Sequence, residues 1–444
     1  MSACCSTLLV TTLPHRAEAA EGKPVRAVEP AIVQGVVHPG REAGRTWAEI
    51  ASVLLFVPRV LESLLFRAQA LGAHLVRDER IVSRVDELFS PRPGALAVFP
   101  TLFFASRQPP SAGARVLVRG DHVAAALAAG IGSAHNISVE NRISFDWGRP
   151  FRFVINLEAL ADSRSGLMYT GVGQTPASDP RNSFRPGQLV REARYLERRS
   201  RAIADVRIRP HPELEILLSG SYTQSRVGTS PGAVPVSLDQ VFTPGTVPGA
   251  VTPTRIFYGE MNARFDTRPV IGRPMPGVVL ALYTGIARGN GDDAFRFFRF
   301  GGRTGIFVPI VRPSNILSLK LTADAMARSA RDHRAIPFTS LVSQPEFRGF
   351  NTRRDFLGVV ASVDYRWSVM HLLGARLFVD AATVAPRIGA LVAAPPRIAA
   401  GFGVDFFGDT SELGQLSVAF TREGARVLLS FGLAPAFGDR QHRD

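Results

Sequence analysis

The chain has 444 residues, a formal net charge of +14 at pH 7, and two cysteines, Cys4 and Cys5, at its N-terminus. The body therefore has no disulfide framework and no thiolate metal site. Its basic residues are spread among apolar neighbours rather than gathered into a patch, which argues against nucleic acid and for a charged lumen or anionic lipid headgroups.

Residues 1–20 hold a short apolar stretch, Leu8-Leu9-Val10, and end Ala17-Glu18-Ala19-Ala20, an AxA-type cleavage pattern without a basic n-region. A leader and a misplaced start codon both stay open. Residues 21–45, rich in Pro, Gly, Glu and Arg, read as a linker. From Trp47 to Arg84 the apolar residues recur at three and four (Ile50, Val53, Leu54, Val57, Val60, Leu61, Leu64, Leu65). That predicts an amphipathic helix, or two divided near Pro58, packed on a neighbour or lying on the membrane surface. Residues 21–95 are thus expected to form a linker and a short helical periplasmic segment. No apolar run reaches the ~20 residues of a spanning helix.

From residue 96 the period changes to two. In Ile137–Trp147 the odd positions are mostly apolar and the even positions Ser, Glu, Arg, Ser and Asp; Phe151–Ala161 repeats the pattern. After a lead-in at Leu96–Ala105, strands are expected at Ala114–Arg119, His122–Ile131, Ile137–Trp147, Phe151–Ala161, Leu189–Arg198, Ala202–Arg209 and Glu213–Thr223. Further strands follow at Arg255–Phe265, Gly277–Ile286, Phe295–Val308 and Ile316–Met326. The last five are Gly358–Trp367, Leu373–Val384, Ile398–Phe407, Leu416–Thr421 and Ala425–Leu433. That makes about sixteen strands of a length suited to crossing a bilayer at a tilt. Long loops (Gly173–Gly187, Ser225–Pro253, Ala327–Arg353) alternate with tight turns such as Gly148-Arg149-Pro150, as on the two rims of a barrel. Aromatics near strand ends (Trp147, Phe151, Tyr258, Tyr283, Tyr365, Trp367, Phe406, Phe407, Phe431) suit girdles at the headgroups. A soluble propeller is the all-β alternative, but no blade-length repeat is present. The expectation is an all-β chain: a transmembrane antiparallel barrel over 96–437, followed by a polar tail at 438–444.

The third loop holds Pro345-Glu346-Phe347-Arg348-Gly349-Phe350. It is followed by Ser362-Val363-Asp364-Tyr365-Arg366-Trp367 and then by Leu377-Phe378-Val379-Asp380-Ala381-Ala382. Alternation puts Asp364 and Arg366 on one face of their strand and Arg376, Phe378 and Asp380 on the lumen face of the next. A loop arginine dipping into this lumen meets Asp380 or Asp364, and a guanidinium bridges a carboxylate through two parallel hydrogen bonds. The alternative is an ordinary solvated arginine.

This order of segments resembles the bacterial outer-membrane surface-antigen (BamA-like) superfamily, in its branch without POTRA modules. Asp364 stands where Glu is common and Ala382 where Gly is usual. The resemblance implies a sixteen-stranded barrel, with Phe347, Arg348, Gly349 and Phe350 folded into the lumen. Asp364, Arg366, Phe378 and Asp380 are then the lumen partners, and Arg348 pairs with Asp380. It implies residence in the outer membrane and help in inserting or translocating protein or lipid, with outer-membrane lipid and a periplasmic partner or polypeptide cargo as partners. A passive pore and a surface-exposed structural antigen are the alternatives. No GxSxG elbow, HExxH pair or phosphate-cradling glycine pattern is present, so no enzyme chemistry, cofactor or metal is expected. Asp292-Asp293 reads as a turn, and Glu213 with Glu215 as a lumen pair.

Overall fold

Side chains of a strand point alternately to opposite faces, so a wall wet on one side and apolar on the other needs a period of two. The computed structural model meets that demand with sixteen antiparallel strands closed into a barrel, each paired with its sequence neighbours and the last with the first. It describes residues 96–431 except 106–109, 133–135, 148–151, 188–190, 231–236, 269–274, 290–294, 311, 329–334, 351, 371–372 and 408–411. The expected leader, linker, amphipathic segment and polar tail lie outside the described residues, as do Phe151 and the Asp292-Asp293 turn.

The strands are β1 (Leu96–Ala105), β2 (Ser111–Arg119), β3 (Val123–Gly132), β4 (Asn136–Trp147), β5 (Arg152–Tyr169), β6 (Ala193–His211), β7 (Leu214–Thr229) and β8 (Thr254–Asp266). They continue as β9 (Gly277–Gly289), β10 (Arg296–Ile310), β11 (Arg312–Arg328), β12 (Leu357–Met370), β13 (Leu373–Ala385), β14 (Arg397–Phe407), β15 (Glu412–Thr421) and β16 (Gly424–Phe431). Two short helices, α1 (Leu238–Val241) and α2 (Ile388–Ala393), sit in the connections after β7 and β13.

The number sixteen is reached by a different division of the chain. The expected lead-in, Leu96–Ala105, is a full wall strand paired with β2 and β16. The two strands expected at 189–198 and 202–209 are one, β6. The run Arg198-Arg199-Ser200-Arg201 interrupts apolarity but not alternation: Arg199 points inward onto Asp162 at 2.8 Å, while Arg198 points outward and is exposed. Likewise β5 continues past Ala161 to Tyr169, across a register shift between Arg164 and Leu167.

The two faces differ as the alternation requires. On β5, Leu157 is 45% exposed on the outer surface, whereas Glu158 beside it is buried and accepts from Arg142 at 2.6 Å. Exposed Leu280, Leu282, Phe300, Leu319, Val363, Val379 and Phe402 extend the apolar outer face around the wall. Inside, arginines pair with carboxylates: Arg164 with Glu197 at 2.7 Å, Arg209 with Glu215 at 2.6 Å, and Arg299 with Asp324. Glu213 lies in the turn before β7 and does not share the strand face of Glu215.

Connections at 170–192, 230–253 and 329–356 gather on one rim; 120–122 and 212–213 are tight turns on the other. The long connections close over their rim. Phe338 is fully buried, with its ring 4.5 Å from Tyr169 and 5.1 Å from Tyr195, and Val241, Phe242 and Val342 pack in the same cluster. Buried Arg354 donates to the Phe338 carbonyl (3.1 Å) and to the Tyr195 phenol (3.2 Å).

The expected aromatic girdles are corrected in part. Trp147 is half exposed and stacks on Phe145 at 6.0 Å, as a headgroup anchor would. Tyr283 instead turns inward and donates to Asp324, and Tyr258 donates to Glu260. Tyr365 and Trp367 are only 5% and 3% exposed, clustered with Leu373, Ala375 and Val404. Tyrosine carries a polar tip that seeks a partner, and Tyr258 and Tyr283 find one among the inner carboxylates.

Candidate functional site in the lumen

The loop between β11 and β12 turns back into the barrel after Leu341. Val342 and Asp355 exchange backbone hydrogen bonds at 2.9 and 3.1 Å, which fixes the base of the turn-back. The tip, 344–350, then lies across the inner wall.

Arg348 is the centre of the tip. Its backbone N–H donates to Asp380 Oδ2 at 3.0 Å, its Nε to the same oxygen at 2.9 Å, and its Nη2 to Asp380 Oδ1 at 2.5 Å. Its Nη1 donates to Asp364 Oδ1. The guanidinium lies over the Phe378 ring, 3.7 Å from its centroid. Asp364 and Asp380 are both fully buried. One guanidinium thus spans two carboxylates on neighbouring strands, β12 and β13, with an aromatic face beneath it. Such a cation–π contact contributes up to ~2 kcal/mol when desolvated.

The sequence places Arg348 opposite Asp380 or Asp364, and in the structure it takes both. Arg366, expected among the partners, pairs with Asp405 at 3.7 Å. Phe347 and Phe350 are buried; Phe347 packs with Val360, Phe378, Ala382, Ala399 and Ala419. Gly349 does not have a positive φ, so backbone conformation does not call for glycine there. Space does: a Cβ there would stand 2.5 Å from the Phe347 ring and 2.8 Å from Thr421 Cγ2.

Other partners emerge only with the register. Lys320 on β11 pairs with Asp364. Glu346 accepts from Thr322 of β11 and from Arg303 of β10 at 2.7 Å. Arg397 of β14 donates to the Phe350 carbonyl (2.6 Å) and to Gln344 (2.7 Å), and lies over the Phe347 ring at 4.9 Å. Arg426 of β16 donates to the Gly349 carbonyl. The tip is therefore tied to an arc of wall from β10 to β16. The one sequence signal for these residues is their phase: Lys320 and Arg426 alternate with outward apolar neighbours, and Glu346 stands beside the arginine.

No three His, Cys, Asp or Glu among the described residues are grouped as a metal site. The chemistry of the tip is ion pairing and packing. Fold and site together define a sixteen-stranded membrane β-barrel with a loop pinned inside it.

No protein-family model and no curated protein matches the sequence. Among solved structures, BamA from Haemophilus ducreyi lacking POTRA domains 1-3 aligns over 76% of this chain and 70% of that chain, at 11% identity and a TM-score of 0.54. CdiB from Acinetobacter baumannii aligns over 76% of this chain and 59% of that one, at 8% identity and a TM-score of 0.47. The likeness to BamA establishes the fold: this chain carries a sixteen-stranded barrel of the BamA type.

Proposed function

We propose that the protein resides in the bacterial outer membrane and assists the insertion of polypeptide into it, or its passage across it, by offering the edges of β1 and β16. One observation carries the reading. The barrel closes by pairing its first strand with its last, in register from Leu102↔Phe431 to Ala105↔Leu428, so parting this one seam would free an edge on each of β1 and β16. A strand edge with unpaired N–H and C=O groups templates an incoming strand. The pinned loop supports the same reading, since it braces the wall up to β16 from within. The likeness to BamA is consistent with it through the fold alone. This reading assigns the chain no catalytic chemistry.

A photo-crosslinking residue at Phe104 or Leu429, which face one another across the seam, tests the proposal in cells. Adducts with unfolded outer-membrane barrel polypeptides are expected. Adducts with lipid alone, while the barrel is folded, reject it. The loops packed over the extracellular rim argue against the passive pore. Their display at the surface keeps the structural antigen as the second reading, which the same lipid-only result would favour.

A further inference from the structure

The lumen arginines have carboxylate partners, but a second set of arginines faces the other way. Arg198 of β6, Arg226 of β7, Arg255 of β8, Arg288 of β9 and Arg296 of β10 lie on the outer face and are exposed. None makes a side-chain hydrogen bond or ion pair with another described residue. Arg198 stands directly opposite Arg226, and Arg288 directly opposite Arg296. Like charges in directly opposed cross-strand pairs repel. Counted from the short-turn end of its strand, each arginine is the twelfth to fifteenth residue, beyond the ~9–11 that cross the hydrocarbon. The belt is therefore at the headgroup level of the extracellular leaflet.

Immediately below it the wall is hollowed. The register row Leu157, Ala204, Gly220, Gly259, Ile286 runs straight across β5 to β9. Its centre has no side chains: a Cβ at Gly220 would meet nothing within 4 Å, and one at Gly259 only the Ser219 carbonyl at 4.0 Å. The backbone does not demand glycine here, since neither has a positive φ. The result is an open groove of about 1110 Å³ on the membrane side. Tyr222 and Phe257, their rings tilted against each other with centroids 4.7 Å apart, form its upper wall, and Arg288 and Arg296 form its rim.

We propose that this groove and its arginine belt bind a phosphorylated lipid of the extracellular leaflet, with an acyl chain on the Ala204–Gly220–Gly259 floor and the phosphate between Arg288 and Arg296. Charge complementarity selects the anionic headgroup, and guanidinium forks match phosphate oxygens in pairs. The outward, lipid-facing position selects a membrane lipid over a soluble anion. The proposal needs the barrel to lie in a membrane but not the seam to open, so its failure leaves the seam reading untouched.

Native mass spectrometry of the detergent-purified full chain tests this, with diphosphoryl lipid A as the probe and a neutral diacylglycolipid as the control. Wild type is expected to retain lipid A. Arg288→Gln with Arg296→Gln is expected to weaken retention by about tenfold, and Gly220→Leu, which fills the floor without touching the wall, to weaken it as well. Both should leave the heat-induced gel shift of the folded barrel unchanged. If the arginine pair proves needed for folding, Gly220→Leu alone carries the test. Equal retention by the variants overturns the proposal, as does equal binding of the neutral glycolipid. Displacement by millimolar inorganic phosphate would show a site for free anions instead. A lipid-free dimer lost on Gly220→Leu would show a second copy of the chain as the occupant.

Discussion

Arg348 replaces water with two buried carboxylates and an aromatic face, and each partner depends on the others staying in place. Removing one member of such a group leaves an uncompensated buried charge, at a cost of ~3–5 kcal/mol. Arg348→Ala is expected to lower the midpoint of heat-induced unfolding in detergent. Arg348→Lys should recover only part of that loss, because an ammonium cannot reach two carboxylates as a fork; full recovery would show that charge alone matters. Gly349→Ala should also lower the midpoint, since its methyl group would press on the Phe347 ring, 2.5 Å away. Half of this centre was legible beforehand. Alternation fixed the inward phase of Asp364, Phe378 and Asp380, and the motif singled out Arg348. Lys320, Arg397 and Arg426 could not be assigned, because they meet the loop from strands whose register the one-dimensional pattern does not specify.

At the level of elements, the period of two located nearly every strand but not where each one ends. The charges of β6 hid its continuity, since a run of arginines, Arg198 outward and Arg199 inward, looks like a break to a reading based on apolarity. The tyrosines of β8 and β9, Tyr258 and Tyr283, misled for a related reason: a tyrosine serves as readily in a polar lumen as at a membrane surface. The loop at 170–192 is held by Arg181, which donates to both oxygens of Asp355 at 2.8 and 2.7 Å and to Asp179 at 2.6 Å. The hydrogen bond from Arg181 holds the Asp179 carboxyl below its ordinary value of 3.8. A carboxyl lowered on folding contributes stability that is complete above the ordinary value and disappears as pH falls through the lowered one. Cleavage of this loop by an added protease, chosen to work across the range, is thus expected to stay constant from neutral pH down to about the ordinary carboxylate value and to rise below it. A rise already near pH 6 would point to a different lock.

For the whole molecule, the long connections packed over one rim predict small, infrequent conductance in planar bilayers. Arg354→Ala removes the buried guanidinium that ties Phe338 to Tyr195, and should raise conductance by unseating the cap. If both proteins conduct alike, ions do not pass through the cap. The barrel as a class was legible because greasy-outside, wet-inside walls leave a mark on every strand. The cap was not, since its core comes from residues as distant as Tyr169, Val241 and Phe338. The tie between the loop tip and the arc from β10 to β16 has a mechanical meaning. That arc behaves as a spar with a rib behind it. When a thinning or curving bilayer strains the cylinder, the distortion concentrates where the rib stops, at the junction between the last strand and the first.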